Sequence, residues 1–228
     1  MSAVPAGQLI AVMHLEDVDG QHVNLKSRRP PLDLFLECTI TAGKSFAKQG
    51  WPLLVLSDKP EIFVKRATEL GYADSELPRV EHYAFSLDVP EGIRFRGSHF
   101  RLDLFAAIAR GEFGPAAGFI DVDTVALNPI RMPELTDSQI VTCPQPLDLN
   151  WKEREGAIRR DIAVLSGATP EPPVWFGGEF LYGTAGAFGR LTEEFERVWP
   201  IYREQFRSLH YVGAEMMLNA CLHAMTEV

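Results

Sequence analysis

Cysteine is scarce in this sequence, with Cys38, Cys143 and Cys221 the only three in 228 residues. Their number is odd, they lie far apart, and each stands among apolar neighbours. This pattern predicts reduced thiols in the core rather than a disulfide framework or a zinc site. Because disulfides form in oxidising compartments, we expect a cytoplasmic protein.

Long apolar runs and long basic runs are also missing. No segment approaches the roughly 20 apolar residues that cross a bilayer, and no basic leader precedes the short apolar stretch near the N-terminus. No basic run is longer than a pair such as Arg28–Arg29, and the formal net charge is -9. We therefore expect a soluble, unprocessed protein with no membrane span and no nucleic-acid partner.

What the sequence does contain is an alternation of strand and helix patterns, with 46% hydrophobic residues in total. In the first half, helices are expected to end at Gly50 and Gly71, and Ser98 is the expected N-cap of a third. The predicted strands are 9–13, 52–57, 80–85, 118–120, 139–143 and 175–183. The predicted helices are 32–48, 61–70, 99–110, 151–165, 191–206 and 213–224. The pattern indicates a single α/β domain with a mixed sheet flanked by helices.

Two carboxylates, Asp121 and Asp123, follow the apolar strand 118–120. Alternating side chains of a strand point to opposite faces, so the two carboxylates project to the same side. They would repel each other unless a cation lay between them, and oxygen ligands suit Mg²⁺ or Mn²⁺. A strand ending in a solvated acidic turn is the alternative. The carboxyl edge of an α/β sheet, where ligands bind, favours the metal.

Arg101 shares a helix face with the apolar residues three, four and seven positions later, Leu104, Phe105 and Ile108. A guanidinium there either extends to solvent or pairs with an anion. The two hypotheses are therefore an exposed head group, and a contact with Asp121 or with a phosphate beside the metal.

The last predicted helix is apolar nearly all round, yet it carries Glu215 and Asn219 four positions apart. A buried acid must be paired, protonated or part of a site, and we expect Glu215 to line a site. His210 and His223 flank this helix, and each is either a metal ligand or an ordinary core or surface residue. In strand 175–183, Gly177 and Gly178 indicate either a bulge or a ligand close to the backbone.

The order of these segments resembles the GT-A fold glycosyltransferases. The resemblance is nearest to family 8, the glycogenin and lipopolysaccharide galactosyltransferase group. Residues 101–127 are similar to that family's stretch from its Arg-Leu helix to its Asp-x-Asp strand. Residues 215–219 are similar to its Asp-Gln-x-x-Leu-Asn helix. The similarity covers about residues 95 to 222, while the first part of the chain agrees in its α/β pattern only.

The resemblance implies a metal-dependent hexosyltransferase that uses a nucleotide sugar such as a UDP-hexose, with retention of configuration. Residues 1–127 would form the nucleotide-binding half of a GT-A-like domain and residues 128–228 the half for sugar and acceptor. The acceptor would be a saccharide, a lipid-linked sugar or a protein. The implied site residues are Asp121 and Asp123 for Mn²⁺ or Mg²⁺, Arg101 near the nucleotide, Gly177, Gly178, Glu179 and Asn219 for the substrate, and Glu215 beside the anomeric carbon.

This sequence departs from the family in three places. Ala214 stands where the family carries an Asp that contacts the donor sugar, and the family's Asn-x-Gly has no Asn here. The family also continues to a His that completes the metal site, whereas this sequence stops at Val228. His210, His223, water or a residue beyond a truncated end would then complete it.

Two other functions compete with this one. The string from Asp121 to Val125 also fits the D-x-D-x-[TV] nucleophile loop of haloacid dehalogenase-like phosphatases. Those enzymes need a later Lys and a later acidic pair, and Lys152 is the only Lys after Asp123. The third hypothesis, suggested by Ala214, is a GT-A-like domain that binds a nucleotide sugar without turnover.

Overall fold

Short apolar strands, rich in Leu, Val, Ile and Ala, form the centre of this protein. The structure, a computed structural model, describes residues 7–15, 29–145, 152–170 and 174–226. Within these residues the strands form one six-stranded sheet. They are β1 (Gln8–Met13), β2 (Leu53–Ser57), β3 (Arg79–His82), β4 (Ala116–Ile120), β5 (Ile140–Gln145) and β6 (Trp175–Thr184).

Helices cover both faces of the sheet. They are α1 (Pro31–Lys48), α2 (Pro60–Glu69), α3 (Arg96–His99), α4 (Arg101–Ala109), α5 (Lys152–Ser166), α6 (Ala185–Gln205) and α7 (Ala214–Thr226), with a 3₁₀ turn at Asp74–Glu76. Alternate residues of β1 show the two faces: Leu9 and Ala11 pack with α1 and α2, whereas Ile10 packs with α4 to α7. This is the side-chain alternation of a strand that is buried on both sides.

The strand order is β3-β2-β1-β4-β6-β5. Strands β1 to β4 pair in parallel, and β6 runs antiparallel between β4 and β5. The chain winds from β1 to β3 on one side and then returns to place β4 on the other side of β1. The crevice at the carboxyl ends of β1 and β4 is therefore a topological switch point, where doubly wound sheets bind their ligands.

The predicted fold class is confirmed: the protein is mixed α/β, with one sheet flanked by helices. The ends of α1 and α2 are also confirmed, since Gly50 and Gly71 take positive φ angles of 81° and 92° just beyond them. The helix predicted at 191–206 begins earlier, at Ala185, because the hydroxyl of Thr184 accepts the N–H of Ala187 and caps it.

Two local predictions are wrong for reasons that involve distant residues or a preceding turn. The strand predicted at 80–85 ends at His82, and just beyond the predicted range the N–H groups of Ser86 and Leu87 bond to the carboxylate of Asp103. Ser98 does not cap α4, because it lies inside α3 and its hydroxyl donates to the carbonyl of Phe95 at 2.7 Å.

The predicted core thiols are only partly confirmed. Cys221 is buried and Cys38 is half-buried, but Cys143 is exposed. Cys143 lies on β5, which is the last strand of the sheet and has a neighbour on one side only. None of the described helices combines the length and the apolar character needed to span a bilayer.

Candidate functional site

A cleft of about 370 Å³ lies beside the carboxyl end of β4, on the side where β6 pairs with it. Four parts of the chain line it: the start of α4 with the residues before it, the residue after β4, the first half of β6, and the first turn of α7 with the loop before it. Both predicted halves of the chain, 1–127 and 128–228, contribute to this one cleft.

Asp121 follows β4 and lines the cleft, with 36% of its side chain exposed. Its backbone N–H donates to the carbonyl of Glu179, and its carbonyl accepts the N–H of Thr124 to form a turn. This turn carries Asp123, which is exposed. Partial burial of the carboxyl group, followed by the charge of Asp121 and then that of Glu179, raises the pKa of Asp123. A nearby cation would remove that cost.

Arg101 contacts Asp121, as one of the two sequence hypotheses expected. Its side chain is 9% exposed, and Nη2 lies 3.5 Å from an Asp121 carboxylate oxygen. Its Nη1 donates to the carbonyl of Gly178 at 2.8 Å, and Nε donates to that of Ser98 at 2.9 Å. The guanidinium carbon lies 4.6 Å from the centre of the Phe119 ring. Arg101 is therefore a buried cation held in one orientation.

Gly178 lies between Arg101 and Glu215. A Cβ atom at this position would stand 2.7 Å from Nη1 of Arg101 and 3.3 Å from Cγ of Glu215. The register between β5 and β6 also shifts here: Thr142 pairs with Leu181, whereas Cys143 pairs with Gly177. The glycine pair thus marks an irregular strand, and Gly178 gives the side chains of Arg101 and Glu215 the room to approach one backbone.

Glu215 lies in the first turn of α7 and lines the cleft. One of its oxygens, Oε1, accepts the indole N–H of Trp175 at 2.8 Å and the N–H of Gly178 at 3.1 Å. Burial is the largest effect on this carboxyl group, and it raises the pKa of Glu215 despite the two hydrogen bonds. Such a shift, in a cleft, is typical of functional carboxyl groups.

The other predicted substrate residues differ in their access to the cleft. Gly178 and Glu179 line it, and Glu179 is half-buried. Gly177 is buried, and its carbonyl accepts the hydroxyl of Thr142. Asn219 is fully buried: its amide accepts the N–H of Phe176 and donates to the carbonyls of Phe176 and Glu215. Asn219 therefore links α7 to β6, and its bond to the Glu215 carbonyl also holds the backbone of Glu215.

The two histidines considered as metal ligands have other partners. His210 Nδ1 lies 2.9 Å from the buried carboxylate of Asp161, and His223 Nε2 lies 2.8 Å from the carbonyl of Val174. Among the described residues, no three His, Cys, Asp or Glu side chains lie close enough to hold a metal ion by themselves. The structure therefore does not support the hypothesis that His210 or His223 completes a metal site with Asp121 and Asp123.

Three aromatic residues of the cleft were not predicted from the sequence. Trp175 bonds to Glu215, Tyr211 packs against Trp175 with 5.9 Å between ring centres, and Phe95 is 43% exposed. Phe95 has a φ angle of 55°, a left-handed conformation that is uncommon for a residue with a side chain. The spacing of residues in the sequence does not reveal these contacts. Trp175 contacts residues 36 and 40 positions later, and the position of Phe95 depends on its left-handed turn.

Comparison with protein-family models finds no match to this chain, and no curated protein matches it by sequence.

Proposed function

We propose that this protein is a metal-dependent glycosyltransferase that moves a hexose from a nucleotide sugar, with a UDP-hexose as the expected donor, to an acceptor with retention. The resemblance of residues 95 to 222 to family 8 glycosyltransferases is the starting point. Its three matching segments meet in one cleft at the carboxyl edge of the sheet, where α/β proteins bind nucleotides.

One observation carries the proposal. Arg101 contacts Asp121 directly and is linked to Glu215 through residue Gly178, whose carbonyl accepts from Arg101 and whose N–H donates to Glu215. The residues expected for the donor and for the reacting carbon are thereby linked in one rigid unit. The phosphatase hypothesis gives no role to this link, since it needs a Lys and a second acidic pair instead.

The donor atoms around Asp121 and Asp123 suit a divalent cation. Carboxylate oxygens are the ligands of Mg²⁺ and Mn²⁺, and the pKa of Asp123 is raised by partial burial and by its acidic neighbours. Two carboxylates with phosphate oxygens of the substrate are a usual site for such ions, which fits the lack of a third ligand among the described residues. A bound metal would offset the negative charge of the departing diphosphate.

The chain's own residues have separate tasks in this proposal. Arg101 supplies a fixed positive charge beside the diphosphate, where it needs no reorganisation during the reaction. Glu215 faces the anomeric carbon, and its ionised carboxylate stabilises the positive charge that develops there or acts as the nucleophile. Glu179 accepts a sugar hydroxyl. A cytoplasmic setting remains part of the proposal.

Ala214 favours a second candidate, a domain that binds the donor without turnover. Ala214 lines the cleft next to Glu215, at the position where the resembled family carries an Asp that contacts the donor sugar. The two candidates share nucleotide binding and differ in chemistry. Breakdown of the donor in the presence of Mn²⁺ separates them.

The test compares Glu215→Gln with the wild type in donor hydrolysis and transfer. Glutamine keeps the oxygen that accepts from Trp175 but carries no charge, so we expect activity to fall by roughly a hundredfold or more with nucleotide binding unchanged. Glu61→Gln, on the exposed face of α2, is the control and should keep full activity. Unchanged activity in Glu215→Gln would remove the catalytic assignment. A wild type that binds but does not turn over would favour the second candidate.

A further inference from the structure

The contacts in the cleft give it a charged end and an aromatic end. From Asp121 they run to Arg101 at 3.5 Å, and from Arg101 to the Gly178 carbonyl at 2.8 Å. The Gly178 N–H then bonds to Glu215, which bonds to Trp175, and Trp175 packs on Tyr211. Glu215 thus lies between the two ends. If the charged end takes the donor diphosphate, the aromatic end is the place left for the acceptor.

The aromatic end is held firmly by hydrogen bonds to the backbone. The buried carboxylate of Asp161 accepts the N–H groups of His210 and Tyr211, both at 2.9 Å. This fixes the loop on which Tyr211 lies. The ring of Tyr211 is half-buried and lines the cleft.

A second set of bonds fixes Phe95 in its left-handed conformation. His99, fully buried, donates from Nδ1 to the Phe95 carbonyl at 3.1 Å, and its Nε2 accepts the hydroxyl of Tyr202 at 3.0 Å. That hydroxyl accepts the N–H of Gly213 at 2.9 Å, so Phe95 is tied to the Tyr211 loop. Burial lowers the pKa of His99 to about 4, which keeps the ring neutral as this pattern requires. An exposed phenyl ring on a strained residue is thus held at the rim.

We propose that this aromatic end is an acceptor subsite for an uncharged pyranose ring, a conclusion that rests on the proposed function. The C–H face of the ring packs on Tyr211 and Phe95, and its hydroxyls donate to Glu215 and Glu179. Aromatic rings remove the apolar sugar face from water, and carboxylates accept hydroxyl protons without offering any.

The charges in the cleft argue against other acceptors. Asp121, Glu179 and Glu215 line it with Arg101 as the cation, and Arg101 already contacts Asp121. An anionic acceptor such as a uronic acid would meet uncompensated negative charge. A purely apolar acceptor would offer no hydrogen-bond donor to the carboxylate oxygens that line the cleft. A neutral sugar, with hydroxyls in several directions, satisfies both conditions.

The experiment measures binding of methyl glycosides to the full chain by saturation-transfer NMR and calorimetry, with no nucleotide present. Methyl glucoside, galactoside and mannoside are compared with methyl glucuronide and galacturonide. We expect at least one neutral glycoside to bind at least tenfold more tightly than its uronide. Tyr211→Ala should weaken that binding roughly tenfold. Tyr72→Ala, a half-buried tyrosine packed on the opposite face of the sheet, should leave it unchanged.

Each other result overturns the inference. These results are equal affinity for a sugar and its uronide, full affinity in Tyr211→Ala, or no binding of any neutral glycoside. Binding of UDP and GDP with Mn²⁺ is measured on the same samples and tests the proposed function separately. Nucleotide binding without sugar binding removes only the acceptor subsite, whereas sugar binding without nucleotide binding removes the donor assignment.

Discussion

At the scale of single residues, Glu215 shows most directly what burial does to a carboxyl group. Burial raises its pKa above the ordinary value of 4.5. The folded protein therefore binds more protons than the unfolded chain between that value and the raised one, and this group makes the protein less stable as pH rises through the window. Burial of the Glu215 carboxyl group therefore costs folding stability above this window.

Glu215→Gln tests that cost. The variant has no carboxyl group to ionise, so its free energy of unfolding should rise relative to the wild type as pH increases through the window. Urea unfolding on both sides of the window measures this. A difference between wild type and Glu215→Gln that stays constant with pH would contradict the raised pKa.

Phe95 has an unfavourable feature of a different kind, in its backbone conformation. Its left-handed φ of 55° is unfavourable for any residue with a Cβ atom. Phe95→Gly removes this strain and the ring together, so we expect a gain of up to about 1 kcal/mol in the free energy of unfolding. Binding of neutral glycosides should fall roughly tenfold.

Phe95→Ala is the matched control for this variant, because it removes the ring but keeps the Cβ atom. Denaturant unfolding should show no gain in stability for Phe95→Ala, and calorimetry should show the same loss of glycoside affinity. A loss of stability in Phe95→Gly would mean that the ring contributes to packing more than to binding.

At the scale of elements, the loop between α6 and α7 depends on one acidic side chain of α5. Asp161→Ala removes the acceptor of two backbone N–H groups and of the His210 ring, at a site where the carboxylate is 3% exposed. We expect a loss of about 2 to 3 kcal/mol in the free energy of unfolding. Amide exchange at Tyr211 should become faster.

Asp161→Asn keeps one acceptor oxygen for the two N–H groups, so it should retain most of this stability. If the alanine variant exchanges the Tyr211 amide as slowly as the wild type, the loop is held by other contacts and Asp161 does not position Tyr211.

The ends of helices and strands could be predicted from the sequence where nearby residues determine them, and not where distant residues do. Local signals, Gly50 and Gly71, correctly marked the ends of α1 and α2. The course of the chain after β3 could not be predicted from local signals, because the N–H groups of Ser86 and Leu87 bond to Asp103, which lies 17 and 16 residues later.

Some contacts of the candidate site could also be predicted from the sequence, and others could not. The helical period placed Arg101 on a buried face, and the strand end placed Asp121 beside it, so their contact was predictable. The bond from Trp175 to Glu215 needed the irregular register at Gly178 and the packing of α7 on β6, which no pattern of spacing encodes.

At the scale of the whole molecule, the fold brings an acidic cleft to the edge of an acidic protein. The net charge is -9, and the cleft sets Asp121, Glu179 and Glu215 around Arg101. A nucleotide diphosphate would be repelled by this surface if it bound alone. We therefore propose that such a ligand binds only together with a divalent cation.

Calorimetric titration of UDP and of GDP, first with Mn²⁺ and then with EDTA, tests this need for a cation. We expect binding of one nucleotide in Mn²⁺, its loss in EDTA and its loss in Asp123→Ala, with Asp74→Ala on the exposed 3₁₀ turn as a control that still binds. Binding that persists in EDTA, or no binding of either nucleotide, would contradict it.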